Sequence, residues 1–308
     1  MCKKQTDTNN PPYLHSTSSQ LIVSHPIPPA KTLNHYFLIY AIFPVLAPAF
    51  IAFKSITNSD FRKTSFSLYS LVSGATANPI TKEWYFQDKE LLDILWSKVP
   101  SAKCYVDDAI GEPRLEYQLS EGYCGSATQR CILRSFGLSP ESIPAQKNGE
   151  TKPGPWCEHV CQMAKEATEG NMELETTIVG GDVDYNKFLE TLRETTKEPE
   201  KSRIAVNFLR PALTGFSGFR FFPMNFILGL LGGHFSPVLG LIENDTVDQP
   251  SSSIREKIDG DNPLVAIWDT NHKYGGAYFV PAKRLYESVK ALDLSSNKNR
   301  ALIVVKKK

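Results

Sequence analysis

The sequence predicts an α+β fold, and two observations carry this prediction. Patterns typical of amphipathic helices come first along the chain, whereas strand patterns cluster after residue 200. Helices followed by strands are typical of α+β proteins, because parallel α/β folds alternate the two kinds of element. The composition fits a folded domain, since 41% of the residues are hydrophobic and 22% are charged.

Five helices are predicted from apolar residues spaced three or four positions apart. Their starts are Asp88 as a cap, Cys124, a position shortly before Val160, Asp182 or Asp184 as a cap, and Pro281. Aspartate is a good N-terminal cap, and proline is favoured in a first helical turn. Gly137 is expected to end the helix that begins at Cys124, because glycine readily adopts the left-handed conformation found just past a helix.

Strand patterns are short runs rich in β-branched and aromatic residues. They occupy residues 203–208, 234–242, 264–268, 277–280 and 301–305. The chain contains no internal repeat, no Walker motif and no dinucleotide fingerprint. The sequence therefore does not predict a nucleotide-binding α/β protein.

Three segments precede the folded part of the chain. Residues 1–32 are rich in Ser, Thr, Asn and Pro, which predicts a disordered tail. Residues 33–56 form a hydrophobic segment, and residues 57–77 form a polar, serine-rich linker. A folded domain is expected over residues 78–308.

The hydrophobic segment has two interpretations. Residues 37–53 contain no charge over 17 positions, which is the shortest length that spans a membrane. More positive charges follow this run than precede it, and this favours a membrane anchor with the folded domain in the cytosol. The alternative is a buried or targeting segment of a cytoplasmic protein. Both interpretations remain open at this point.

Charge and cysteine content exclude two classes of protein. The net charge of +1 gives no reason to expect a nucleic-acid partner. Six cysteines are too few for a disulfide scaffold in a chain of 308 residues, so reduced thiols are favoured. Cys157, His159 and Cys161 offer soft ligands, but a helix does not easily direct positions i and i+2 at one ion, so no metal site is expected.

Cys124 is the candidate nucleophile. A thiol at a helix N-terminus is shifted towards thiolate by the helix dipole and by free backbone N–H groups. Gly125 directly after it permits close approach of a substrate, and the amide of Gln118 is a candidate donor to an oxyanion. Cys131 lies two helical turns further on among apolar neighbours, and a core position is predicted for it.

A cysteine nucleophile needs a base, and the base needs an orienting group. His234 opens a strand directly after Gly233, and small residues there leave room for a ligand. Asp269 ends another strand, which suits a carboxylate that must reach a neighbouring strand. The order Cys, His, Asp, with the last two on adjacent strands, indicates a papain-like arrangement.

Several blocks of sequence resemble phytochelatin synthases, a papain-like family that acts on glutathione. The blocks are YQLSEGYCGSAT, GPW, NFLRPAL, GGHFSPVLG and WDTNHKYGGAYFVPAKRLYESV, and they fall within residues 79–292. The resemblance implies a helical subdomain that carries the nucleophile and packs on an antiparallel sheet subdomain. It also implies that Gln118 is the oxyanion-hole glutamine and Cys124 the nucleophile. His234 would be the base and Asp269 the carboxylate that orients it. The implied substrate-binding residues are Gly125, Gly233 and Arg210.

The resemblance further implies an activity. Such an enzyme makes phytochelatins, (γ-Glu-Cys)n-Gly, from glutathione through an acyl-enzyme on Cys124. It needs no tightly bound cofactor, and glutathione complexes of cadmium, zinc or copper serve as substrate or activator. Two alternatives remain: a glutathione hydrolase that releases glycine and γ-Glu-Cys, and a membrane-anchored protein that binds thiols or metals without turnover.

The chain departs from the family pattern at three points. Residues 214–231 form a longer and more apolar link than usual, and residues 244–262 insert what reads as a polar loop. His272 stands near Asp269 where the family commonly has an arginine. These departures bear on recognition of the second substrate.

Overall fold

The computed structural model describes residues 85–86, 88–107, 113–149, 152–209, 213, 233–247, 251–258, 262–272, 276–290, 292–293 and 298–308. The tail, the hydrophobic segment and the linker expected over residues 1–77 lie outside these residues. Within the described ranges, no helix has both the length and the apolar character needed to cross a membrane.

The described part of the chain contains seven α-helices and a short 3-10 helix. They are α1 (Lys89–Lys98), α2 (Pro100–Lys103), α3 (Cys124–Ser135), α4 (Pro153–Ala167), α5 (Tyr185–Thr196), the 3-10 helix (Asn244–Thr246), α6 (Ser252–Lys257) and α7 (Ala282–Lys290). All five helices predicted from the sequence are present, although α7 begins at Ala282 and the expected start, Pro281, ends a strand.

Caps explain where several helices begin and end. An oxygen of Asp88 accepts a hydrogen bond from the Leu91 N–H at 3.1 Å, and Asp184 accepts one from the Lys187 N–H at 2.9 Å. Of the two aspartates considered for α5, the cap is therefore Asp184. Gly137 has a φ of 95° just past α3, which is the left-handed conformation predicted for the glycine that ends this helix.

Seven strands form one antiparallel sheet. They are β1 (Tyr85–Phe86), β2 (Leu174–Gly180), β3 (Ser202–Phe208), β4 (His234–Ile242), β5 (Leu264–Asp269), β6 (Gly276–Pro281) and β9 (Ala301–Lys307). Their order across the sheet is β1-β6-β5-β4-β3-β9-β2. Two further short strands, β7 (Leu292–Asp293) and β8 (Lys298–Asn299), pair with each other.

Helices cover both faces of the sheet. Helices α5 and α7 pack on one face, and α3 and α4 pack on the other together with α1 and α2. Every residue of β3 and β4 is buried, which requires a cover on each side. The α+β class is confirmed, and the helical part that carries Cys124 does pack on an antiparallel sheet. The second helical layer was not anticipated.

Several elements were not predicted, most of them short, and two of them bear on the packing of the sheet. Strand β2 reads LETTIVG and lies at the sheet edge, and the polar run of residues 175–177 interrupts the apolar pattern expected of a central strand. The insertion at 244–262 is not only a loop, because it contains α6. Ile254 is buried against α1, and an ion pair of 2.7 Å joins Lys257 to Asp88.

The cross-strand pair of Ile303 and Ile178 tests this packing, because the two residues lie opposite each other on β9 and β2. Ile303 is fully buried, whereas 47% of Ile178 is exposed. We expect Ile303→Ala to lower the free energy of unfolding by about 2–5 kcal/mol through the cavity that it leaves. The same change at Ile178 should cost about 1 kcal/mol or less. Urea unfolding of both variants measures the difference; equal losses would contradict the place of β9 inside the sheet.

Candidate active site

A histidine and an aspartate meet where β4 and β5 lie side by side. Because these strands are antiparallel, the first residue of β4 lies near the end of β5. The Nε2 atom of His234 is 3.0 Å from Oδ1 of Asp269, and both side chains are buried. The Asn271 backbone N–H also donates to Oδ1, at 2.8 Å. The predicted His–Asp pair is thus formed, and the carboxylate is held by two donors.

This geometry assigns roles to the two ring nitrogens of His234. An ionised carboxylate only accepts hydrogen bonds, so Nε2 carries the proton that faces Asp269. Nδ1 is then the ring nitrogen suited to exchange a proton with another group. The ring also packs edge-on against Phe208, its cross-strand neighbour, with centroids 5.4 Å apart. Hydrogen bonding and packing together fix the ring orientation.

Cys124 is the first residue of α3, as predicted. The preceding residue Tyr123 occupies the cap position, and its side chain makes no capping hydrogen bond within the described part of the chain. Gly122 has a φ of 85°, and a Cβ there would lie 2.9 Å from Oδ1 of Asn148, so the turn requires glycine. The first backbone N–H groups of α3 thus donate no hydrogen bond to the side chain of the cap residue Tyr123. Backbone N–H groups at a helix N-terminus stabilise anions.

Trp156 connects the start of α3 to β4. Its indole N–H donates to the carbonyl of Gly125 at 3.0 Å. Its ring stacks on Phe235, the residue after His234, with centroids 5.6 Å apart and planes 3° apart. One rigid side chain therefore sets the position of the Cys124 turn relative to the strand that carries His234. Gly125 contributes its carbonyl to this contact.

Gln118 is fastened to the end of β5. Its backbone N–H donates to the carbonyl of Thr270 at 2.6 Å, directly after Asp269. Its side chain is buried, and Nε2 donates to the carbonyl of Ser120 at 3.1 Å. A primary amide has two N–H donors, so this bond leaves one for an oxyanion. Among the described residues, its Oε1 accepts no hydrogen bond.

Tyr117 and Trp268 belong to the site, and the sequence reasoning did not single them out. Their rings stack with centroids 5.1 Å apart. Burial, together with the negative charge of Asp269, raises the pKa of the Tyr117 phenol. The signal was present in the sequence, because these residues directly precede Gln118 and Asp269.

Arg300 is a second residue that the sequence did not reveal. It is fully buried, and its guanidinium donates to Oδ1 of Asn207 at 3.4 Å. A side chain at Gly233 would collide with this guanidinium, so packing alone requires the glycine. No local pattern could have identified Arg300, because it is a single arginine before β9. Arg210, which the resemblance implies as a substrate contact, lies outside the described residues.

Glu116 attaches the Gln118 segment to α3. Its carboxylate accepts two hydrogen bonds from Arg130, at 2.8 and 2.9 Å, and one from Arg134 at 3.2 Å. Burial raises the pKa of Glu116, but the hydrogen bonds from Arg130 and Gln146 lower it, and so do the positive charges of Arg130 and Arg134. The lowering is the larger effect, so the net shift of the pKa is downward. Glu116 is therefore an ionised anchor.

Burial raises the pKa of the other cysteines near α3 and α4. Cys131 is fully buried, its sulfur accepts from the Glu116 N–H at 3.1 Å, and burial raises its pKa to about 12. The prediction that it is a core residue is confirmed. Burial raises the pKa of Cys157 to about 11 and also raises that of Cys161. Within the described ranges, no three His, Cys, Asp or Glu residues form a metal-binding group.

Alkylation distinguishes the two thiols of α3. We expect iodoacetamide at neutral pH to modify Cys124 in the native protein, because a helix N-terminus favours the thiolate. Cys131 should remain unmodified, since its pKa of about 12 leaves almost no thiolate. Peptide mass spectrometry measures both sites, and unfolding in guanidinium should make them equally reactive. Faster native labelling of Cys131 would contradict the assignment.

The Glu116 anchor predicts a pH dependence of stability. Because its folded pKa is lowered, its stabilising effect is present above the unfolded value and is lost as the pH falls through the folded pKa. Glu116→Gln should therefore destabilise the protein at neutral pH, and the difference from wild type should narrow below pH 4.5. Thermal unfolding across this range measures it. A difference that is constant with pH would exclude an ionised anchor.

Comparisons with known proteins do not extend these findings. No family model matches the chain, and no curated protein matches it either. The chemistry of the site therefore rests on its own residues. These are a buried His–Asp pair, a cysteine at a helix N-terminus and a glutamine fastened beside the pair.

Proposed function

We propose that the protein is a papain-like glutathione γ-glutamylcysteinyltransferase that makes phytochelatins. The observation that carries the proposal is the 3.0 Å hydrogen bond between His234 and Asp269. It supplies an oriented base on the sheet, while Cys124 begins the helix packed against the same sheet. The resemblance of the surrounding sequence to phytochelatin synthases indicates glutathione as the substrate.

In the first half of the reaction, Nδ1 of His234 takes the proton of the Cys124 thiol. The sulfur then attacks the carbonyl carbon of the Cys–Gly amide of glutathione. The side-chain amide of Gln118 and the first N–H groups of α3 stabilise the oxyanion. The imidazolium returns its proton to the departing glycine nitrogen, which leaves γ-glutamylcysteine bound to Cys124 as a thioester.

In the second half, the α-amino group of another glutathione attacks the thioester carbonyl. His234 accepts a proton from this amine. The tetrahedral intermediate then collapses, the bond between its carbon and the sulfur of Cys124 breaks, and Cys124 is released as a thiolate. The product is one γ-Glu-Cys unit longer than glutathione. Water in place of the amine gives the hydrolase outcome, so exclusion of water from the thioester separates the two activities.

Charge in the site supports an anionic substrate. The buried guanidinium of Arg300 lies beside Gly233, next to the proposed base. Glutathione carries two carboxylates, and a buried positive charge near the site favours an anionic substrate without a direct contact. Heavy-metal ions enter this reaction as thiolate complexes of the substrate, which we propose as the preferred acceptor.

Product analysis tests the proposed function. The full chain is incubated with glutathione, with and without cadmium, and the products are identified by mass spectrometry. We expect glycine release and peptides of the form (γ-Glu-Cys)n-Gly. Cys124→Ser should abolish both, and Asp269→Ala should lower kcat on the order of 10³- to 10⁴-fold, because the ring of His234 loses the acceptor that orients it.

Cys131→Ser is the matched control, since it should change stability more than kcat. If γ-Glu-Cys and glycine are the only products, the protein is a glutathione hydrolase and not a transferase. A folded protein that releases no glycine would contradict both enzymatic functions and favour the non-catalytic alternative.

A further inference from the structure

We infer that Gln146 is a positioning residue that sets the geometry of the oxyanion hole from both sides of Gln118. This inference rests on the proposed function, because it concerns the same reaction. Gln146 would touch neither substrate nor the reacting atoms. It acts through the backbone of the segment that carries Gln118.

The side chain of Gln146 brackets Gln118. Its Nε2 atom donates to the carbonyl of Tyr117 at 2.9 Å, and its Oε1 atom accepts from the Leu119 N–H at 3.0 Å. The Nε2 atom also donates to the carboxylate of Glu116 at 3.0 Å. One amide therefore binds the residues immediately before and after Gln118, together with the ionised anchor of the segment.

The segment depends on such contacts because it belongs to no helix or strand. Residues 115–118 have no regular secondary structure, so no backbone ladder fixes them. Leu119 is 77% exposed and contributes no packing that would hold the chain in place. The Thr270 carbonyl holds the backbone N–H of Gln118, but the peptide groups on either side are held by Gln146.

The residues next to Gln146 reach the nucleophile turn. The Lys147 N–H donates to the hydroxyl of Ser126 at 3.2 Å, and that hydroxyl donates to the Lys147 carbonyl at 2.8 Å. Residues 146 and 147 thus join the Gln118 segment to the first turn of α3, two residues after Cys124. They fix the separation between an oxyanion donor and the nucleophile, and a small error in this separation is costly in rate.

A double-mutant cycle in the full chain tests the inference. Gln146→Met keeps the length of the side chain and removes its hydrogen bonds. We expect kcat for glycine release to fall between about 10-fold and 100-fold, with KM changed by less than about twofold, because the affected interaction forms in the transition state. In a Gln118→Ala background, the same substitution should change kcat by less than about twofold, since it acts only through Gln118.

The matched control is Gln162→Met, which removes an exposed glutamine whose Nε2 donates to Glu166 within α4. It should leave kcat unchanged. Equal losses from Gln146→Met in both backgrounds, or no loss in either, would overturn the inference. A loss that appears only with Gln118 intact would support it.

Hydrogen exchange separates this inference from the proposed function, because it needs no turnover. Gln146→Met should speed exchange of the Leu119 amide, which loses its acceptor, and leave the amides in the middle of α3 unchanged. Unchanged exchange at Leu119 would overturn the inference whether or not the protein releases glycine. Absence of glycine release from wild type, with exchange altered as expected, would overturn the proposed function but leave the positioning of Gln118 by Gln146 intact.

Discussion

The antiparallel pairing of β4 with β5 is the constraint on which the site depends. His234 and Asp269 are 35 residues apart in sequence, yet the pairing brings their side chains to 3.0 Å. The two strands are central in a sheet covered on both faces, so the pair is buried and largely removed from water. Interactions between charged and polar groups are stronger in such surroundings than at an exposed surface.

The other parts of the site are assembled onto this pair by a few directional contacts. Trp156 joins the Cys124 turn to Phe235, and the Thr270 carbonyl holds Gln118. Cys124 and Gln118 therefore lie outside the sheet but are fixed to it. In the proposed reaction, such an arrangement makes the rate sensitive to residues that never meet the substrate, because errors in the supporting contacts become errors in the geometry of the site.

Local sequence patterns predicted the elements better than their arrangement. The Asp88 and Gly137 signals defined helix ends correctly, because caps depend on a few neighbouring residues. The strand that begins at His234 was also predicted at its true position. By contrast, the place of β9 inside the sheet follows from long-range pairing that no local pattern contains.

The same limit applies to the site. Cys124, His234 and Asp269 were found because their residue types and neighbours suit a known chemistry. Arg300 and Gln146 were missed, because each enters the site from a distant part of the chain and its role depends on what the fold brings beside it. The sequence thus supplied the candidate reactive groups, whereas the groups that hold them required the structure.

The most direct test of the central claim is to trap the acyl-enzyme. The full chain is mixed with glutathione, quenched rapidly in acid and digested for peptide mass spectrometry. We expect one γ-glutamylcysteinyl group on the peptide that contains Cys124 and at least an equal amount of free glycine, because each completed turnover releases a further glycine. An adduct on Cys131 or another cysteine, or glycine release without any protein adduct, would contradict that claim.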